Sequence, residues 1–142
     1  MSKLSCFFKE NVETVKPIKY VASKRIKDDK GNPAEWEIRP LTQKRIETLT
    51  KECTKKICVN RKTHEYKDEL DTFKFVAKMA AESTVYPDLL SSELQDNYGC
   101  FEAHELLQAI LNVPGEYADY TEKIQELNGY TSLEEEVQEA KN

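Results

Sequence analysis

Along the chain the apolar positions change period several times, and each change marks an element. From Pro17, Ile18, Tyr20 and Ala22 alternate with Lys19, Val21 and Ser23; beyond the polar run DDKGNP at 28–33, Trp36 and Ile38 alternate with Glu35, Glu37 and Arg39. Period two on either side of strong turn chemistry predicts a β-hairpin over 16–40. A lone hairpin is marginal in water, so Trp36 is expected to lie on a helix.

After Pro40 the period lengthens. Thr42 can cap a helix in which Ile46, Leu49, Cys53 and Ile57 recur at steps of three and four, one apolar stripe. Between Val59 and Lys67 the periodicity lapses into polar text, predicting a loop with His64 exposed. A second helix is expected over about 68–82, with Leu70, Phe73, Ala77 and Ala80 on one face and Phe75, Val76 and Met79 widening it. In VYPDLLSSELQDNYGC, at 85–100, Pro87 forces extended chain. Ser91 or Ser92 then caps a short helix that carries Leu94 inward and stops at Gly99.

Two more helices follow, at 102–112 with Leu106, Leu107, Ile110 and Leu111, and at 114–128 with Tyr117, Tyr120, Ile124 and Leu127. Pro114 suits a first turn and Gly129 a stop. TSLE at 131–134 is a capping box opening an acidic segment, 131–142. The fold expected is mainly α: one compact multi-helix domain over 1–142, with the hairpin at 16–40 and a helical core at 42–128, α+β only by strict count.

Composition agrees with one domain. The 142 residues, 39% hydrophobic and 33% charged with four glycines, suit a helical chain able to bury a core without disulfide or metal. No apolar run approaches the roughly 20 residues that span a bilayer, and LSCFF breaks at once into Lys9 and Glu10. The expected location is the cytoplasm, with Cys6, Cys53, Cys58 and Cys100 reduced.

Charge is split. Residues 1–87 hold 19 Lys and Arg against 13 Asp and Glu, and residues 88–142 hold 2 against 13, within a net charge of −5. Such halves either neutralise each other within one fold or join copies head to tail. Lys44, Arg45, Lys51, Lys55, Lys56, Arg61 and Lys62 cluster as phosphate-binding cations would. The acidic whole and the apolar helix that follows argue against nucleic acid.

No catalytic pattern is present. Cys53, Cys58 and His64 have the wrong spacing for zinc, and Cys100 and His104 share a helix face without an orienting group or oxyanion loop. No metal, cofactor or enzymatic activity is expected. Tyrosines and leucines near turns, rimmed by acid, read as a groove for a partner helix, and equally as core between short helices. The contact residues assigned are Tyr86, Leu89, Leu90, Tyr98, Leu107, Leu111 and Tyr117.

Four segments in order, YVASKRIKDDKGNPAEWEIRPLT, ECTKK, VYPDLLSSELQDNYG and VPGEYADYTEKIQELNGY, resemble the XkdN-like tail assembly chaperones of phages and phage-derived contractile particles. The resemblance covers nearly the whole chain. It implies a non-enzymatic protein of the host cytoplasm that engages the tape measure protein while the tail is built and is absent from the finished tail. The tail tube protein is a further candidate partner. The alternatives are a small structural or connector protein retained in the particle and a small DNA-binding regulator.

Overall fold

The computed structural model describes residues 3–130. The expected acidic segment and its capping box, at 131–142, lie outside the described residues. Two short 3-10 turns, Lys3–Phe7 and Lys9–Asn11, lead in extended chain to β1 (Ile18–Tyr20). β1 pairs antiparallel with β2 (Trp36–Ile38), setting Ile18 opposite Ile38 and Tyr20 opposite Trp36. The connection turns where Asp28 Oδ1 accepts the backbone N–H groups of Lys30 and Asn32, with Gly31 at φ +83°.

α1 (Gln43–Glu52) starts at Thr42, whose side chain accepts the Arg45 N–H, and buries Ile46 and Leu49. The expected helix to Ile57 is corrected, because α1 stops at Cys53 and the chain turns directly into β3 (Thr54–Asn60). The expected loop is also corrected: residues on both sides of it form β3 and β4 (Glu65–Leu70), a two-stranded antiparallel ribbon. The ribbon is closed at its base by the Asp71 N–H donating to the Cys53 carbonyl at 2.8 Å.

α2 (Thr72–Ser83) therefore begins later than its apolar pattern implies, at the Asp71 cap. Leu70 belongs to β4, and Phe73 is 92% exposed rather than core. Ala77, Met79, Ala80 and Ala81 are buried as α2 packs against α1, α4 (Ala103–Ile110) and α5 (Pro114–Leu127). At Thr84 the chain passes without a loop into β5 (Thr84–Tyr86), an unexpected third strand beside β2. α3 (Ser92–Tyr98) is capped by Ser91 and ends at Gly99, φ +67°.

The mainly helical expectation is overturned. Among the described residues five α-helices accompany five strands in two antiparallel sheets, and the class is α+β. The strands were hidden because β5 is short and the ribbon buries neither face, so neither shows the half-buried alternation that marks a strand in sequence.

The core gathers Trp36 and Ile38 of β2, Leu49, Met79, Leu106, Leu107, Leu111 and Ile124 around Tyr120. Trp36 meets the Tyr120 ring edge to face at 5.2 Å. The Thr84 hydroxyl donates to the Ala80 carbonyl, so at 2.5 Å Tyr120 is the donor to Thr84. Burial pushes the Tyr120 hydroxyl far above its ordinary value of 10, against the opposing effect of that bond. Asn128 closes the end of α5: its Oδ1 accepts the Leu41 N–H at 2.8 Å, and its Nδ2 donates to Ser83 Oγ at 3.2 Å and the Ile124 carbonyl at 2.9 Å.

Candidate functional site

Segment 84–104 leaves the core sheet, crosses to α3 and returns at the start of α4, and it stands away from α1 and α2. The space between is a groove of about 750 Å³. Its floor is apolar, made by Leu49, Ala81 and Leu89, which are buried. Its lip carries Leu90 and Phe101, 77% and 91% exposed, with Val85 of β5 beside them. β5 lies at an edge of its sheet, so its outer backbone groups also face this side.

The α1–α2 wall is charged but balanced. Arg45 Nε donates to both carboxylate oxygens of Glu82, at 2.9 and 3.1 Å, and Nη2 also reaches Glu82. Arg45 Nη1 and Lys78 Nζ each lie 3.9 Å from Glu52, extending the pair into a chain of four residues across the two helices. The hydrogen bond to Glu82 and its charge raise the Arg45 pKa further above its ordinary value, so the guanidinium is permanently charged. The opposite wall offers Asp88, and Glu102 with His104 at 3.3 Å. A greasy floor between fixed, paired charges is the surface an amphipathic segment fits: apolar side chains enter, and polar ones meet both signs at the rim.

The family profile for the phage XkdN-like tail assembly chaperone protein matches residues 4–141. The chain belongs to that family. It is 38% identical to the phage-like element PBSX protein XkdN of Bacillus subtilis (strain 168) over 140 residues, 98% of this chain and 93% of the relative. It is 34% identical to the uncharacterized protein YqbN of the same strain over 137 residues, 96% of this chain and 91% of that protein. A crystal structure of YqbN superposes with a TM-score of 0.76 at 32% identity, covering 92% of this chain and 98% of that one. No catalytic family is indicated, and no described helix is long and apolar enough to cross a membrane.

In this tail assembly chaperone the seven residues assigned from sequence do not form one patch. Leu89 and Leu90 meet in the groove, one in its floor and one on its lip. Tyr86 and Tyr98 are exposed outside its lining, on β5 and at the end of α3. Tyr117 is half-buried and accepts a hydrogen bond from Gln108 Nε2 at 3.2 Å. Leu107 and Leu111 are buried in the core, where they hold α4 against α2 and offer no surface. Sequence reasoning missed Phe101, Val85 and the Arg45–Glu82 wall. Phe101 had a signal: it follows the Gly99 stop and precedes α4, off that helix's apolar face.

The candidate ligands read from sequence stay apart. Cys53 is buried at the base of the ribbon, and His64 stands in its turn beyond the end of β3, a strand about 23 Å long. The described residues do bring together Glu102, His104 and Glu105, with potential ligand atoms within 4.8 Å of one another. Two exposed carboxylates flanking one imidazole is also an ordinary rim of a helix start, and His104 is engaged by Glu102.

Proposed function

We propose that this chaperone binds an amphipathic helical segment of the tape measure protein in the groove between α1–α2 and segment 84–104. It acts in the host cytoplasm while the tail is built and leaves before the tail is complete. The observation that carries the reading is the pair Leu90 and Phe101, two large apolar side chains almost fully exposed over an apolar floor. Exposed apolar patches rimmed by charge mark association sites. A tape measure chain presents apolar helical surface until the tube encloses it. A groove that covers part of that surface suppresses aggregation with an affinity low enough to be reversed, because a small interface leaves little surplus after the cost of ordering both partners.

The test is co-expression with the tape measure protein encoded nearby, followed by pull-down and a solubility comparison. The wild-type chain should co-purify with a soluble tape measure protein, and Leu90→Asp and Phe101→Asp should each lose it while keeping the wild-type fold. Equal capture by the wild type and both variants would remove the groove from the reading. Finding the chain in washed, mature particles would favour a retained connector instead.

A further inference from the structure

The β3–β4 ribbon is the part of the chaperone that the groove does not explain. Every residue from Cys58 to Leu70 is exposed, and within the ribbon the register sets Lys55 opposite Glu69 and Lys56 opposite Asp68. Those pairs balance the base. The outer part is not balanced: Arg61, Lys62 and Lys67 stand against Glu65 alone, and among the described residues none of these three cations forms an ion pair. An isolated two-stranded ribbon is marginal in water, yet this one also exposes Val59 and Tyr66.

α5 carries the complementary surface. Asp119, Glu122 and Glu126 follow at steps of three and four, so they share one helix face, and all three are exposed. Their joint field reaches Tyr20, whose hydroxyl is raised first by burial and then by these same carboxylates. Lys123, over the Tyr20 ring at 5.9 Å, is the single cation close by, and the three acids form no ion pair among the described residues.

The two surfaces belong to opposite ends of α2. The ribbon closes at Asp71, before its first residue, whereas Asn128 and Tyr120 of α5 bond to Ser83 and Thr84 at its last, about 18 Å away. The acidic face from Asp119 to Glu126 is about 10 Å long. The cationic part of the ribbon, from Lys67 opposite Ile57 to the turn at Arg61, is about 13 Å long. Sign, length and placement match between copies, while the ribbon's exposure shows that it does not pack on its own α5.

We propose that the ribbon of one copy docks along the acidic face of α5 of a second copy, with Arg61, Lys62 and Lys67 meeting Asp119, Glu122 and Glu126. The contact is heterologous, using different surfaces on the two partners, so it leaves a free ribbon at one end and a free α5 at the other and adds copies into an open row. It stands independently of which tail protein fills the groove.

The experiment is sedimentation velocity of the purified chain across concentration at low and high salt, with circular dichroism confirming the fold of each variant. The wild type should grow with concentration at low salt and return to monomer at high salt, since screening shortens the reach of exposed charges to about 10 Å at 0.1 M. Arg61→Glu/Lys62→Glu and Asp119→Lys/Glu122→Lys should each weaken association by about tenfold or more. Mixing the two variants, or combining all four changes in one chain, should restore it, because reversed ribbon then meets reversed helix. A wild type monomeric at every salt concentration would overturn the proposal, as would single reversals that associate like the wild type or mixtures that stay monomeric. Duplex DNA binding by a monomeric wild type, lost in Arg61→Glu/Lys62→Glu, would assign the ribbon to nucleic acid and overturn it equally.

Discussion

The chain builds antiparallel β-structure twice, from sequences that share almost nothing. In the sheet β1–β2–β5, β2 lies in the middle with Trp36 and Ile38 buried against α5, and its strands are only three residues long. In the ribbon β3–β4, the strands run to seven and six residues, are mostly charged, and have hardly a residue out of solvent. The short sheet is held by packing and the long ribbon by its own ladder. Losing a side chain from the first therefore removes core contacts, and losing one from the second removes a fragment of exposed surface.

The sharpest way to break that comparison is to cut both regions at an aromatic residue. Trp36→Ala should destabilise the chain by about 3–5 kcal/mol, through lost burial and the cavity left beside Tyr120. Tyr66→Ala on the ribbon should cost less than about 1 kcal/mol. Urea unfolding of the two variants reads the difference directly, and similar midpoints would mean that the ribbon is part of the core's cooperative unit.

Next in size is the polar latch. Asn128 joins three segments by three hydrogen bonds, and Asn128→Ala leaves the Leu41 N–H and Ser83 Oγ without partners in a partly buried place. A loss of about 1–3 kcal/mol is expected, measured by thermal or urea unfolding. Arg25→Ala, which removes an exposed pair with Glu116, should fall below about 1 kcal/mol.

A smaller effect comes from Tyr120. Its proton is held more tightly in the folded state than in the unfolded one, so above the ordinary value of 10 the unfolded chain binds fewer protons and stability falls as pH rises. Tyr120→Phe should cost about 1 kcal/mol at neutral pH, where the bond to Thr84 is lost, and should flatten the decline above pH 10. A variant with an unchanged alkaline slope would show that another group carries it.

How much of this was legible follows from what each residue packs against. The β1–β2 hairpin could be read because one face of it is buried, which writes alternation into Trp36 and Ile38. α3 and α5 could be read from Ser91, Gly99, Pro114 and Gly129. The ribbon could not, because exposure on both faces removes the period, and Ile57 happened to fall one helical step after Cys53. A weaker signal was there: Thr54, Ile57 and Val59 are β-branched, and NRKTH is turn-like. Most of the groove was equally hidden, since Arg45 and Glu82 lie 37 positions apart and nothing local announces their pairing.

The smallest expected effect on stability tests the comparison hardest. Because Cys53 and Asp71 are already hydrogen-bonded across the base of the ribbon, a short Gly-Ser connection replacing 54–70 needs to span only that closed end. The body should keep its cooperative transition within about 0.5 kcal/mol, since the removed residues bury almost nothing and a shorter loop is slightly easier to close. Capture of the tape measure protein in the groove should persist, while growth with concentration at low salt should vanish. If the body instead lost several kcal/mol, the ribbon would be structural. If only self-association disappeared, the longest strands in the molecule would be there for a second copy rather than for the fold that carries them.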